Sequence, residues 1–374
     1  MTVGTNTAGS YLASLDVIRG IAVILVVIFH SGLLNSGWVG VPIFFTLSGF
    51  LITRGLLRSK SDVTTLCVFA FNFYRNRVLR IFPVYFGSIV VLGIISVIVD
   101  VPGYTKGIWV YLSTFTANFA VLAKGERLTG VVIHFWSLAV EEQFYLIWPF
   151  IVWKLPKLHL KSALWIIILL TPLGRYLLAQ SLPDSLDEMT RGNILYVLPT
   201  SHLDSLSVGA LLALAEQSNH LQQLIVMLMI ATIAFIAAHL FTLWSYWQIS
   251  FNHAFDLDMP EKLLSSGSHI WYLSIIATLC GFMISQCILH NFQAASLPGR
   301  CFRRLGKVSY SLYVLHVPVK VLVQSLIDIL SLPGGRFSTL LIYAPLSYFL
   351  AELSYRWIES PFLKLKRNLS PPKG

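Results

Sequence analysis

Ten separate stretches of about twenty mostly apolar residues leave this 374-residue chain little choice of solvent. They run approximately over 15–33, 39–57, 81–99, 134–153, 163–180, 200–215, 224–240, 270–289, 308–329 and 338–358. In lipid no water reaches the backbone, so each stretch must satisfy its own N–H and C=O groups, as a helix does. The expectation is an all-α, polytopic transmembrane helical bundle of about ten spans. Composition agrees, with 56% of residues hydrophobic and only 12% charged, about half the charge of an ordinary soluble domain. The spans use up the length, so one membrane domain over 15–362 is expected, without an appended soluble module. A flexible segment 1–14 would precede it and a basic cytoplasmic tail 363–374 would follow. The first fourteen residues contain no Lys or Arg; they lack the basic region of a secretory signal, and Leu15 opens an uncleaved span.

The net charge of +10 reads as loop bias toward the cytoplasm rather than as affinity for nucleic acid. The segment 108–123 is short and interrupted by Thr, Ser and Asn. Left out of the count, it gives ten spans with both termini cytoplasmic, and places seventeen loop Lys and Arg inside against six outside. It is therefore read as a re-entrant or interfacial segment on the outer side. Cys67, Cys280, Cys287 and Cys301 have neither C-x-x-C nor metal-type spacing and read as apolar filler. The histidines are scattered, and no metal is expected.

Ionisable residues inside the spans are costly and mark candidate chemistry. Arg19 and His30 share one face of the first span, eleven residues and about 16 Å apart. Glu141 and Glu142 lie about two turns inside the fourth, ahead of Gln143 and Tyr145; a carboxylate beside an imidazole can orient it and stabilise its protonated form. A plainer role for the two would be to neutralise Arg175 or Lys320. Arg77 and Arg80, with Arg75 beside them, open the third span as phosphate-gripping forks or lipid-headgroup anchors. Ser48 and Gly49 in the second span suit close approach to the first. His316 stands ahead of Pro318, about a third of the way along the ninth span, as a packed or a site residue. Asp204 near the outer end of the sixth suits a helix cap or a sugar hydroxyl.

Taken together, Arg19 with His30, Phe44-Phe-Thr-Leu-Ser-Gly-Phe-Leu-Ile52, Arg80-Ile-Phe-Pro-Val-Tyr85, Trp136-Ser-Leu-Ala-Val-Glu-Glu-Gln-Phe-Tyr145 and Tyr310-Ser-Leu-Tyr-Val-Leu-His-Val-Pro318 resemble the integral-membrane acyltransferase family 3, in order across residues 15–362. The resemblance implies a bundle of about ten spans in the bacterial inner (plasma) membrane. It implies transfer of an acetyl or other short acyl group from cytoplasmic acetyl-CoA or another acyl-CoA to a hydroxyl of a glycan or lipid-linked sugar. It further implies His30 as base or acyl carrier, Arg19 as its donor-side partner and Glu141 as the acid, preferred over Glu142 because similar proteins can carry Trp at the second position. Arg77 and Arg80, with Arg75, would face CoA phosphates, while Glu142, Tyr145, Asp204, His316 and Ser48 would support the site or the acceptor. Pro42, Val17 and Asn76 stand where that family often has Asp, Gly and Arg. The rival reading of the same buried charges is a proton-coupled transporter or flippase for a lipid-linked sugar.

Overall fold

A computed structural model of the chain describes residues 7–98, 101, 103, 107–124, 128–247, 264, 267–290, 297–331 and 334–368. Among them there is no strand. The α-helices are α1 (Thr7–Ser31), α2 (Gly40–Asp62), α3 (Leu66–Ile98), α4 (Ile108–Ser113), α5 (Ala117–Lys124), α6 (Phe135–Lys154) and α7 (Lys157–Ser181). Then follow α8 (Glu188–Val197), α9 (Leu203–Gln217), α10 (Leu221–Thr242), α11 (Tyr272–His290), α12 (Leu297–Ile329), α13 (Arg336–Ser354) and α14 (Ser360–Asn368). Eight described helices are long and apolar enough to cross a bilayer, or nine if α8 and α9, bent by 63° at their junction, count as one span. The remaining expected span, α6, has the length, but Glu141, Glu142 and Gln143 make it less apolar than the others.

The ends and loops differ from expectation. Helix α1 begins at Thr7, inside the segment expected to be flexible, and α14 carries helix through Asn368 into the tail. The basic residues assigned to loops sit instead on helices: Arg75, Arg77 and Arg80 on α3, and Arg300, Arg303, Arg304 and Lys307 on α12. Each of these helices has 33 residues, about 50 Å and longer than a bilayer core needs. His316 accordingly lies beyond the midpoint of its helix. The acidic stretch with Asp256, Asp258 and Glu261 lies outside the described residues.

The chain forms two compact units, one of residues 1–26, 35–58 and 151–307, the other of 27–34, 59–150 and 308–374. In the first, helices approach backbone to backbone at glycines. A Cβ on Gly49 would lie 2.1 Å from the Leu206 carbonyl oxygen of α9, and one on Gly209 would lie 2.0 Å from that of Thr46 on α2. Gly49 thus serves a contact with α9, not the expected one with the first span. Gly40 takes that part, its Cβ position 2.4 Å from the Ala22 oxygen.

The bend between α8 and α9 contains Pro199 and a 3-10 turn over Pro199–His202, and such a break inside lipid leaves carbonyls to be satisfied. Arg175 of α7, 1% exposed, fills that need. Its guanidinium donates to the carbonyl oxygens of Ser201 (2.8 Å) and Ile270 (3.0 Å), to the Ser274 hydroxyl (2.9 Å) and to the Asp204 carboxylate. Asp204 also accepts from the Ser274 hydroxyl and from its neighbour Ser205 N–H. The counter-ion of Arg175 is therefore Asp204, and not Glu141 or Glu142.

In the second unit, 108–123 forms two helices too short to span, joined by a turn in which Phe115 has φ 53°. Side chains of α3, α5 and α6 hold that turn. Gln143 of α6 donates to the Phe115 carbonyl oxygen (2.9 Å) and pairs with the Asn118 amide, while Tyr85 donates to the Leu112 oxygen (2.8 Å) and stacks on Phe115.

Two results are expected from thermal unfolding of the purified protein. Gly49→Ala and Gly209→Ala are each expected to cost about 1–3 kcal/mol through overpacking, whereas Gly55→Ala and Gly174→Ala, whose Cβ atoms meet nothing within 4 Å, are expected to be neutral or stabilising. Equal melting temperatures for both pairs would contradict the crossing. Asp204→Ala, which strands the Arg175 cation, is expected to cost roughly 3–5 kcal/mol, and adding Arg175→Met is expected to recover a large part of it. No recovery would show that the pair is not the source.

Candidate functional site

The second unit gathers three imidazoles. His30 sits in the last turn of α1, where Gly32 at φ 76° ends the helix and returns its N–H to the Phe29 oxygen. That end is fixed from α13, since Tyr343 donates to the Val27 carbonyl and Arg336 to that of Gly32. His134 immediately precedes α6, and His316 lies on α12. The His30 and His316 ring centres are 4.9 Å apart, those of His134 and His316 5.1 Å, and those of His30 and His134 6.4 Å. His134 and His316 are 1% and 0% exposed, but His30 is only half-buried. Of the three, His30 is the ring a substrate can reach.

Local sequence explains why α12 can hold this cluster. Pro318 has no N–H, so it cannot bond the carbonyl four residues earlier, that of Val314. The released Val314 oxygen accepts from His134 Nε2 at 3.1 Å. Tyr310, Tyr313 and His316, three apart, fall along one face of α12, and His134, Ser137 and Glu141 along one face of α6. The two faces meet at Ser137 and Tyr313, whose hydroxyls share a hydrogen bond, and Ser137 also donates to the His134 carbonyl oxygen at 3.0 Å. Two turns along α6, Glu141 is within electrostatic reach of Tyr313, while Glu142 faces Tyr85 and Arg77.

Arg77 lies 5.9 Å from the ring centres of both Phe73 and Tyr145, within reach of Glu142, Glu141 and Arg80. Arg75 lies 5.8 Å from the Phe71 ring. The Nε atoms of Arg75 and Arg77 and one oxygen of Glu142 are buried with no hydrogen-bond partner among the described residues. This region thus joins His30, His316, Glu141, Glu142, Tyr145, Arg75, Arg77 and Arg80 in one unit. Arg19, Ser48 and Asp204 belong to the other. Arg19 pairs with Asp16 at 3.0 Å. Ser48 is 9% exposed on α2, and the Asp204 carboxylate is engaged by Arg175.

Sequence reasoning gave no role to His134, Ser137, Tyr310 or Tyr313. The signal was present in the helical spacing of His134, Ser137 and Glu141, and of Tyr310, Tyr313 and His316. Among the described residues, no group of three or more His, Cys, Asp or Glu has an arrangement suited to a metal ion.

Residues 12–356 match the acyltransferase 3 family, described as an acyltransferase domain. The chain belongs to that family. It is 29% identical over 390 residues to the peptidoglycan O-acetyltransferase OatA of Listeria monocytogenes, covering 96% of this chain and 57% of the relative. It is 29% identical over 369 residues to the putative peptidoglycan O-acetyltransferase YrhL of Bacillus subtilis (94% and 55%) and 27% identical over 379 residues to the O-acetyltransferase OatA of Staphylococcus aureus (95% and 57%). The chain thus spans a little over half the length of these relatives. No solved structure matches it. The membership bears out the family resemblance read from the motifs, and its match covers the helices that build the imidazole cluster.

Replacing Pro318 by Ala restores an N–H that competes for the Val314 oxygen. The variant is expected to stay folded but to lose order at His134, seen as faster hydrogen–deuterium exchange across 131–138. Unchanged exchange there would show that the proline does not govern the His134 bond.

Proposed function

We propose that this chain is a membrane-embedded O-acetyltransferase of the bacterial plasma membrane. In this reading it moves an acetyl or other short acyl group from cytoplasmic acyl-CoA to a glycan hydroxyl, with peptidoglycan or its lipid-linked precursor as the first acceptor to test. The observation that carries the reading is the half-buried His30 ring, backed by two buried imidazoles, with Glu141 within electrostatic reach of Tyr313. His30 would take the acceptor hydroxyl's proton as its oxygen attacks the thioester carbon; the C–S bond breaks, and the thiolate leaves to take up a proton. Such base catalysis is worth about 10²- to 10⁴-fold in rate. Glu141, within electrostatic reach of Tyr313, would supply the acid.

Acyl-CoA fits the basic end as a substrate. Among the described residues, Arg75 and Arg77 each hold a buried Nε–H without an acceptor, a donor that a phosphate oxygen could take. Because Arg77 already lies near two carboxylates, Arg75 and Arg80 would carry more of the phosphate charge. Arg19 would act on the donor side. Tyr145 and Glu142 would support Arg77.

The test is acyl transfer by purified protein in lipid, with radiolabelled acetyl-CoA and peptidoglycan fragments. His30→Ala is expected to lose at least about 10²-fold in kcat, and Arg75→Ala with Arg80→Ala is expected to raise KM for acyl-CoA with a smaller change in kcat. Full activity of His30→Ala would overturn the assignment. Absence of thiol release with every acceptor would favour a transporter.

A further inference from the structure

We propose that Arg77 and Glu142 grip a secondary amide in the arm that joins the thioester of the acyl donor to its phosphates, the guanidinium donating to the amide oxygen and the carboxylate accepting from the amide N–H. The inference rests on acyl-CoA being the donor, and adds which part of it meets α6. Arg77 Nε on α3 and Glu142 Oε1 on α6 are both buried, and among the described residues neither has a hydrogen-bond partner. The two side chains nevertheless lie within electrostatic reach of each other. Opposite charges buried in a protein ordinarily close on one another. Here a donor and an acceptor are held near each other with both bonds unmade.

The mixed character of the pair selects the group it takes. A phosphate oxygen accepts from Arg77 but offers Glu142 only a second negative charge. An ammonium group would suit Glu142 and repel Arg77. A trans secondary amide carries one acceptor and one donor on opposite sides of a single plane, with no net charge, and so satisfies both. The arm of acyl-CoA holds two such amides, about 4 Å and about 9 Å from the sulfur when extended. Glu142 stands eight residues after His134, about 12 Å along α6. A thioester carbon brought to the imidazoles therefore sets the farther amide, with its hydrogen bond, at the level of Glu142. The phosphates beyond it are left to Arg75 and Arg80.

The test is equilibrium binding, by the full chain in lipid bilayers, of CoA and of two ketone analogues. In each analogue one amide N–H is replaced by CH2 and the carbonyl is kept. The wild type is expected to bind the analogue altered at the amide farther from sulfur at least about tenfold more weakly than CoA, and the other within about threefold. Glu142→Leu is expected to bind CoA about tenfold more weakly and to lose that discrimination. Glu142→Gln, whose carbonyl still accepts from the N–H, is expected to keep it. The wild-type comparison holds whether or not the variants fold. Equal affinity of the wild type for CoA and both ketones, a loss confined to the nearer amide, or discrimination that survives in Glu142→Leu would overturn the proposal while leaving CoA as the donor. No binding of CoA at all would instead remove the donor reading, and this one with it.

Discussion

A polar group inside an apolar bundle has no water to turn to, so the partner it finds decides what keeping it costs. In both units the partner is often a carbonyl oxygen that a break in a helix has released. The α8–α9 bend exposes the Ser201 oxygen, and Arg175 covers it, with Asp204 as counter-ion. Pro318 releases the Val314 oxygen, and His134 takes it. The turn at Phe115 in the segment 108–123 is closed by Gln143. Three irregular stretches of backbone are thereby paired with three side chains that would otherwise be expensive to bury.

The pairing has a different consequence in each unit. Around Arg175 the donors and acceptors are matched to one another, and the result is a lock that holds the broken helix. Around His316 the matching leads outward, ending on a ring that is half-exposed. A chain of neutral imidazoles can be buried at lower cost than a chain of ions. The carboxylates that are present, Glu141 and Glu142, stand two turns further along α6, beside Tyr313 and Arg77.

Much of this was legible in the sequence. The apolar stretches gave the helices, and the charged residues within them pointed to His30, Glu141 and the arginines of α3. Helix length and partner choice were less legible. Nothing in the apolar pattern distinguishes a basic loop from two extra turns of helix, so α3 and α12 run longer than their apolar cores. Gly49 announces a close approach but not to which helix, and a pairing such as Arg175 with Asp204 depends on tertiary contact. His134 was overlooked because it stands just outside its helix, and its role depends on Pro318, 184 positions away.

The most direct measurement of the central claim is which histidines react with diethylpyrocarbonate, which modifies accessible unprotonated imidazoles, in the intact chain in lipid. Peptide mass spectrometry is expected to find His30 modified and His134 and His316 unmodified until the protein unfolds. Modification of either buried ring in the folded protein, or a His30 as inert as the other two, would contradict an account in which two buried imidazoles pack against a third, accessible one.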